Sequence, residues 1–165
     1  MNDVFQFRSN SRPVKPGAGA GERATAVYTL PLNFRQILSN FYLSPLEYKG
    51  VHYASAEHAF HAAKLKRFGQ DALAARFAVG GDVGNGADVK RAGGKNGLYR
   101  MTMPEIDAWK RESRGVLVEL WEEKFGRTPA LRAVLKETKR AELVHDMGRG
   151  KKERWVELEE LRARL

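Results

Sequence analysis

Cysteine is absent from the 165 residues, which excludes disulfides, thiolate nucleophiles and zinc-thiolate centres together. No apolar run approaches the ~20 residues that a membrane helix needs. The opening MNDVFQFRSNSRP lacks the apolar core of a secretory signal, so a cytoplasmic protein with no membrane partner is expected. Acidic residues are in deficit: 20 Asp and Glu face 29 Lys and Arg, for a formal charge of +9 and a pI near 9.9. Polyanions or phosphorylated ligands are favoured partners, with a merely solvated basic surface as the plain alternative. A dinucleotide fingerprint is missing as well, because Glu22 stands where PGAGAGE would need its last glycine. Internal repeats and coiled-coil heptads are not found.

What is present is 42% hydrophobic and 30% charged residues, the composition of a globular chain. Its length suits one domain over residues 1–165, with a loop-rich segment at 1–25 and a helical core at 26–165. The segment AVYTLPL, Ala26 to Leu32, reads as a short strand, and LEYKGVHY reads as two extended pieces around Lys49 and Gly50. Ser55 then serves as N-cap of a helix whose Ala56, Ala59, Phe60 and Ala63 form one apolar face. A short helix is expected over Asp71 to Phe77, followed by a long glycine-rich connection from Gly80 to Gly97. The strongest helix runs from about Glu105 to Phe125, with Ile106, Trp109, Val116, Leu117, Leu120, Trp121 and Phe125 as its buried stripe. Thr128 and Pro129 start another helix, a break follows at HDMGRG, and a last helix begins near Glu153. The expected class is therefore mainly α with a small antiparallel β element (α+β).

The stretch YASAEHAFHAAKL, Tyr53 to Leu65, concentrates chemistry. A metalloprotease zinc pair is excluded by spacing, since His58 and His61 stand at i, i+3 and the pattern requires i, i+4 with Glu directly after the first His. Capped by Ser55, the helix puts Glu57 in its first turn, where free N–H groups and the dipole favour the ionised carboxylate. His61 and Lys64 follow at i+4 and i+7, so a polar strip is expected on one side with Phe60 and the alanines buried on the other. Glu57 is either an anion poised for chemistry or a simple complement to the dipole.

The longer stretch LSNFYLSPLEYKGVHYASAEHAFHAAKL, Leu38 to Leu65, resembles the signature of the NADAR family: a Ser-Asn-Phe segment, a hairpin ending in aromatic-x-Ser, and a Glu-His pair opening an alanine-rich helix with a Lys. AWKRESRGVLVELWEEKF resembles the family's Trp-containing helix ending in Lys-Phe. LRAVLKETKRAELVHDMGRG resembles its Leu-rich helix, Thr turn, strand and Asp-then-Gly closing loop, and FRSNSRPVKPGAGAGE resembles a front motif of a subset of members. Many relatives carry an aromatic residue and a Trp-Gly pair after the Asp, whereas here the order is Asp146, Met147, Gly148.

The resemblance implies an N-glycosidase that hydrolyses a ribose–nitrogen bond without a metal or cofactor. Its substrate would be ADP-ribosylated guanine in nucleic acid or a ribose-phosphate-linked riboflavin intermediate. By position Glu57 is the carboxylate beside the anomeric carbon, Asp146 a second carboxylate that orients or deprotonates water, and His58 a proton donor, a holder of Glu57, or simply a buried histidine hydrogen-bonded to backbone. Trp109 and Phe41 either stack on the substrate or belong to the core, and Asn40 and Lys64 belong to the same matched segments. Phosphates call for cations beside glycines, which RAGGKNG offers in Arg91 and Lys95 and GRGKK in Arg149 and Lys151. The excess of cations leans toward a substrate carried on nucleic acid. The competing reading is a non-catalytic module that binds ADP-ribose or nucleic acid, in which Glu57 only caps its helix.

Overall fold

The computed structural model describes residues 1–165. In chain order the elements are β1 (Val4–Phe7), α1 (Phe34–Leu38), β2 (Leu46–Tyr48), β3 (Val51–Tyr53), α2 (Ala56–Arg67), α3 (Asp71–Ala75), α4 (Ala87–Gly93), α5 (Met103–Gly126), α6 (Pro129–Glu137), β4 (Glu142–Gly148), β5 (Lys151–Arg154) and α7 (Val156–Arg164). The class is mainly α with two small sheets. No helix is long and apolar enough to cross a membrane. The chain divides into two compact units, Met1–Tyr42 with Phe125–Leu165, and Leu43–Lys124.

The first unit is built on a sheet ordered β1-β4-β5. β1 runs parallel to β4, from Val4 opposite Glu142 to Phe7 opposite His145, and β5 pairs antiparallel with Asp146 opposite Lys152. Successive strand residues point to opposite faces, so Phe5, Phe7 and Leu143 are buried while Gln6 and Val144 stay partly open. On the buried face Phe5 meets Phe34 of α1 at 5.0 Å between ring centroids, and Phe7 meets Trp155 at 5.1 Å. Burying a Phe side chain contributes about 1.5–3 kcal/mol. β1 is absent from the sequence reading, because four residues whose parallel partner is far along the chain carry no local signal of pairing.

Ser9 to Thr25 forms no helix or strand, as expected of a loop, yet a buried ion pair orders it. The Glu22 carboxylate accepts from the backbone N–H groups of Gln6, Gly17 and Gly19 and from Arg35 of α1. Arg35 also donates to the carbonyls of Val14 and Lys15. The expected strand over Ala26 to Leu32 does not form. Its backbone groups are claimed by side chains instead: the Ala26 N–H donates to Asp3, Thr29 N–H donates to Glu137, and the Val27 carbonyl accepts from Lys139. A ladder needs those same groups.

In the second unit β2 and β3 form the expected hairpin, closed by Lys49 and Gly50 at φ 48° and 81°. Two left-handed central residues are the requirement of a type I′ turn, whose twist matches that of the strands. Ser55 caps α2 by accepting from the His58 N–H, as its position predicts. The Gly80 to Gly97 connection is not structureless, since it contains α4, hidden in the sequence by glycines at both ends. α5 spans the expected long helix, and Trp109, Leu120, Trp121 and Phe125 of its stripe are buried. The break at HDMGRG is the end of β4 and its turn into β5, which also claims Glu153, so the last helix begins at Val156 rather than near Glu153.

Candidate active site

The side of α2 on which the polar strip of Glu57, His61 and Lys64 is expected is covered, and so is the neighbouring His58. His58, His61 and Lys64 are 2%, 7% and 9% exposed, because the residues that follow, Phe77 and the segment of Gly84 and α4, fold back over that side. Phe60, assigned to the buried face, is only half-buried. Propensity and periodicity see the amphipathic pattern of one helix, whereas the cover is supplied by residues 16–32 positions later.

Every buried polar group on this face has a defined relation to its neighbours. Ser55 Oγ accepts from the His58 N–H and lies 2.7 Å from His58 Nδ1, while His58 Nε2 lies 3.1 Å from the Gly84 carbonyl. A carbonyl only accepts, so Nε2 carries the proton and Nδ1 accepts from the Ser55 hydroxyl. Burial lowers the His58 pKa against the opposing pull of the Gly84 carbonyl, which keeps the ring neutral. Lys64 Nζ donates to the Gly93 carbonyl at 2.5 Å. Its pKa is lowered by burial and pulled back up by the charge of Glu57.

Glu57 is the centre of the group. Its side chain is 14% exposed and its Oε1 lies 2.9 Å from His61 Nε2, so His61 donates to one carboxylate oxygen. The other oxygen accepts no hydrogen bond from the protein. His61 Nδ1 is buried and also without a hydrogen-bond partner. The ring is held from behind by Gly93, where a Cβ atom would stand 2.2 Å from His61 Cγ, and it lies 5.8 Å from the Phe77 ring. His61 is thus the residue that orients Glu57, and only its i+4 spacing hinted at that.

Trp109 is 8% exposed and packs at 5.3 Å from Phe60 and 6.5 Å from Phe68. It also lines a hollow of about 280 Å³ with Tyr48, Tyr53, Ala63 and Arg67. Arg91, on α4, is exposed and 3.7 Å from Asp88, and Lys95 is exposed just beyond that helix.

The remaining candidates lie in the first unit. Asn40 is buried and Phe41 half-buried just after α1, where the Phe41 N–H donates to Ser39 Oγ. Asp146 sits on β4 with its side chain 29% exposed, its Oδ1 accepting from the Gly148 N–H and its Oδ2 3.9 Å from Arg8. Arg149 and Lys151 are exposed at the β4–β5 turn, where Arg149 and Gly150 take φ of 53° and 75°.

A family model, the NADAR domain, matches residues 31–151. The chain belongs to the NADAR family. The NADAR match covers every candidate residue named from the sequence, from Asn40 to Lys151, and leaves Arg8 outside it. No curated protein and no solved structure matches the chain.

Proposed function

We propose that this NADAR protein is a metal-independent N-glycosidase that hydrolyses a ribose–nitrogen bond, in ADP-ribosylated guanine on nucleic acid or in a ribose-phosphate-linked riboflavin intermediate. The observation that carries this reading is the Glu57 carboxylate: fixed at a helix start, mostly buried, one oxygen held by His61 and the other open to a ligand. Cleavage of an N-glycosidic bond develops positive charge on the sugar, and a preorganised carboxylate in a shielded setting stabilises that charge without reorganising. The C–N bond breaks with its electron pair leaving on nitrogen, and water supplies the oxygen that bonds to the anomeric carbon. Asp146 is assigned to orient that water and take its proton.

His58 is assigned neither to proton donation nor to holding Glu57: both ring nitrogens are engaged, by Ser55 and the Gly84 carbonyl, so it acts as a positioning residue that ties the start of α2 to the Gly84 segment. Trp109, Phe41, Asn40, Lys64, Arg91, Lys95, Arg149 and Lys151 are assigned to substrate binding, within one NADAR-like domain of a cytoplasmic protein. The test is product release followed by mass spectrometry on both substrates in parallel, wild type against Glu57→Gln. The expected result is release from one substrate and a loss of ~10²–10³-fold in the variant. Release from neither, with ADP-ribose still bound, would favour the binding module instead.

A further inference from the structure

The first unit contains a cleft of about 640 Å³ that ends at Asp146, within the range of small-ligand pockets. One wall is the sheet. Register makes Asp146 and Lys152 direct cross-strand partners, and residues directly opposite share a face. Parallel pairing of Gln6 with Val144 and Phe7 with His145 carries Arg8, the next residue, to the side of Asp146, which the 3.9 Å contact bears out. β4, β5 and the residue that follows β1 therefore present Asp146, Lys152 and Arg8 on the face opposite the aromatic core of Phe5, Phe7 and Trp155. The strand alternation that turns Lys152 into the cleft sends Lys151 to the other side.

The other wall is the loop Asn10 to Ala20, which contributes Ser11, Arg12 and the backbone of Ala18 to Ala20. It is rigid for a reason already given, the buried Glu22–Arg35 pair. Its glycines are required for close approach: a Cβ atom on Gly19 would stand 2.7 Å from the Glu22 carboxylate carbon, and one on Gly21, at φ 72°, would stand 2.2 Å from Gln6 Nε2. Arg35, the remaining cation at the cleft, is neutralised by Glu22. Arg12 and Lys152 carry no carboxylate partner, and Arg8 has only Asp146. Three exposed cations against one carboxylate leave two positive charges facing a polar cleft, a balance suited to a ligand with about two negative charges.

We propose that this cleft binds the phosphate-bearing end of a phosphorylated ribosyl ligand, with Arg8, Arg12 and Lys152 as its anion-binding residues. Arg8, between the phosphate and Asp146, ties ligand binding to the position of that carboxylate. The proposal rests on the reading of a phosphorylated ribosyl substrate, and its three cations lie outside the matched residues 31–151, with Arg8 and Arg12 in the front segment that resembles a motif of a subset of members.

The test is calorimetric titration of the full chain with ADP-ribose, ribose 5-phosphate and inorganic pyrophosphate, with ribose as control. ADP-ribose or ribose 5-phosphate should bind and ribose should not. Tighter binding of ADP-ribose assigns the site to a diphosphate, and equal or tighter binding of ribose 5-phosphate assigns it to a monoester. Arg8→Ala and Lys152→Ala should each weaken the bound phosphate ligand about tenfold or more, while Lys136→Ala on exposed α6 should not. Arg8 and Lys152 are exposed, so both variants should keep the wild-type circular dichroism spectrum and melting temperature. Undiminished binding in both folded variants, or no binding of any phosphate ligand, overturns the proposal. Binding is read without turnover, so a cleft that binds in a protein that hydrolyses nothing leaves this inference standing and removes the glycosidase reading. Hydrolysis without the expected binding does the reverse.

Discussion

In the unit of Met1–Tyr42 and Phe125–Leu165, one buried ion pair is closed on itself: Glu22 and Arg35, 0% and 3% exposed at their side chains, satisfy each other and the loop's backbone, although Arg23 Nε in the same loop is buried without a hydrogen-bond partner. Asp3 likewise accepts from Thr25, Ala26 and Tyr28, which holds its carboxyl well below the usual range. In Leu43–Lys124 the buried polar groups on α2 are arranged around a carboxylate that keeps one oxygen unused, beside an imidazole nitrogen with no partner. Natural proteins leave few buried polar atoms unsatisfied. The Glu22–Arg35 network stabilises a loop, while the one at the first turn of α2 leaves a Glu57 oxygen without a protein partner, the feature on which the proposed glycosidase reading rests.

Three experiments would break or sharpen this contrast. The largest effect is expected for Arg35→Ala, which strands Glu22 as a buried charge and should cost about 3–5 kcal/mol in urea unfolding. A loss under 1 kcal/mol would mean that the loop is not built on that pair. Next is Gly93→Ala, whose new methyl group meets the His61 ring. Overpacking of this kind costs about 1–3 kcal/mol, and because it displaces His61 from Glu57, turnover should fall by more than the folded fraction does. Turnover that simply tracks the folded fraction would remove His61 from the orienting role.

The smallest effect concerns pH. His58 has a depressed pKa in the fold, so between that value and the unfolded histidine value of about 6.5 the unfolded chain binds the proton and the native chain does not. Stability should therefore fall as pH drops below about 6.5. A His58→Gln variant, followed by urea unfolding at pH 7.5, 6.5 and 5.5, should show a shallower decline than wild type. An unchanged slope would mean that His58 is not held neutral by burial.

The hairpin and the start of α2 were legible because their causes are local. Lys49-Gly50 is a two-residue turn, and Ser55 followed by Glu57 is a capped helix start. The polar face of α2 was misjudged for the opposite reason, since helical periodicity says which residues share a side but not what later covers it. The strand expected at Ala26 to Leu32 failed because Asp3, Glu137 and Lys139 take its backbone groups, and two of those lie more than a hundred residues away in sequence.

By itself the sequence determined the mainly α class, the hairpin, the capped helix carrying Glu57 and the NADAR family, all of which rest on neighbouring residues or on ordered motifs. Tertiary structure alone decided that His61 fixes Glu57, that Glu22 and Arg35 fold the glycine loop, and that Arg8, Asp146 and Lys152 share one face. The shared face of Arg8, Asp146 and Lys152 depends on parallel pairing of strands far apart in the chain, the Glu22–Arg35 pair on the loop folding back onto α1, and the fixing of Glu57 on Gly93 and Phe77 closing over the His61 ring.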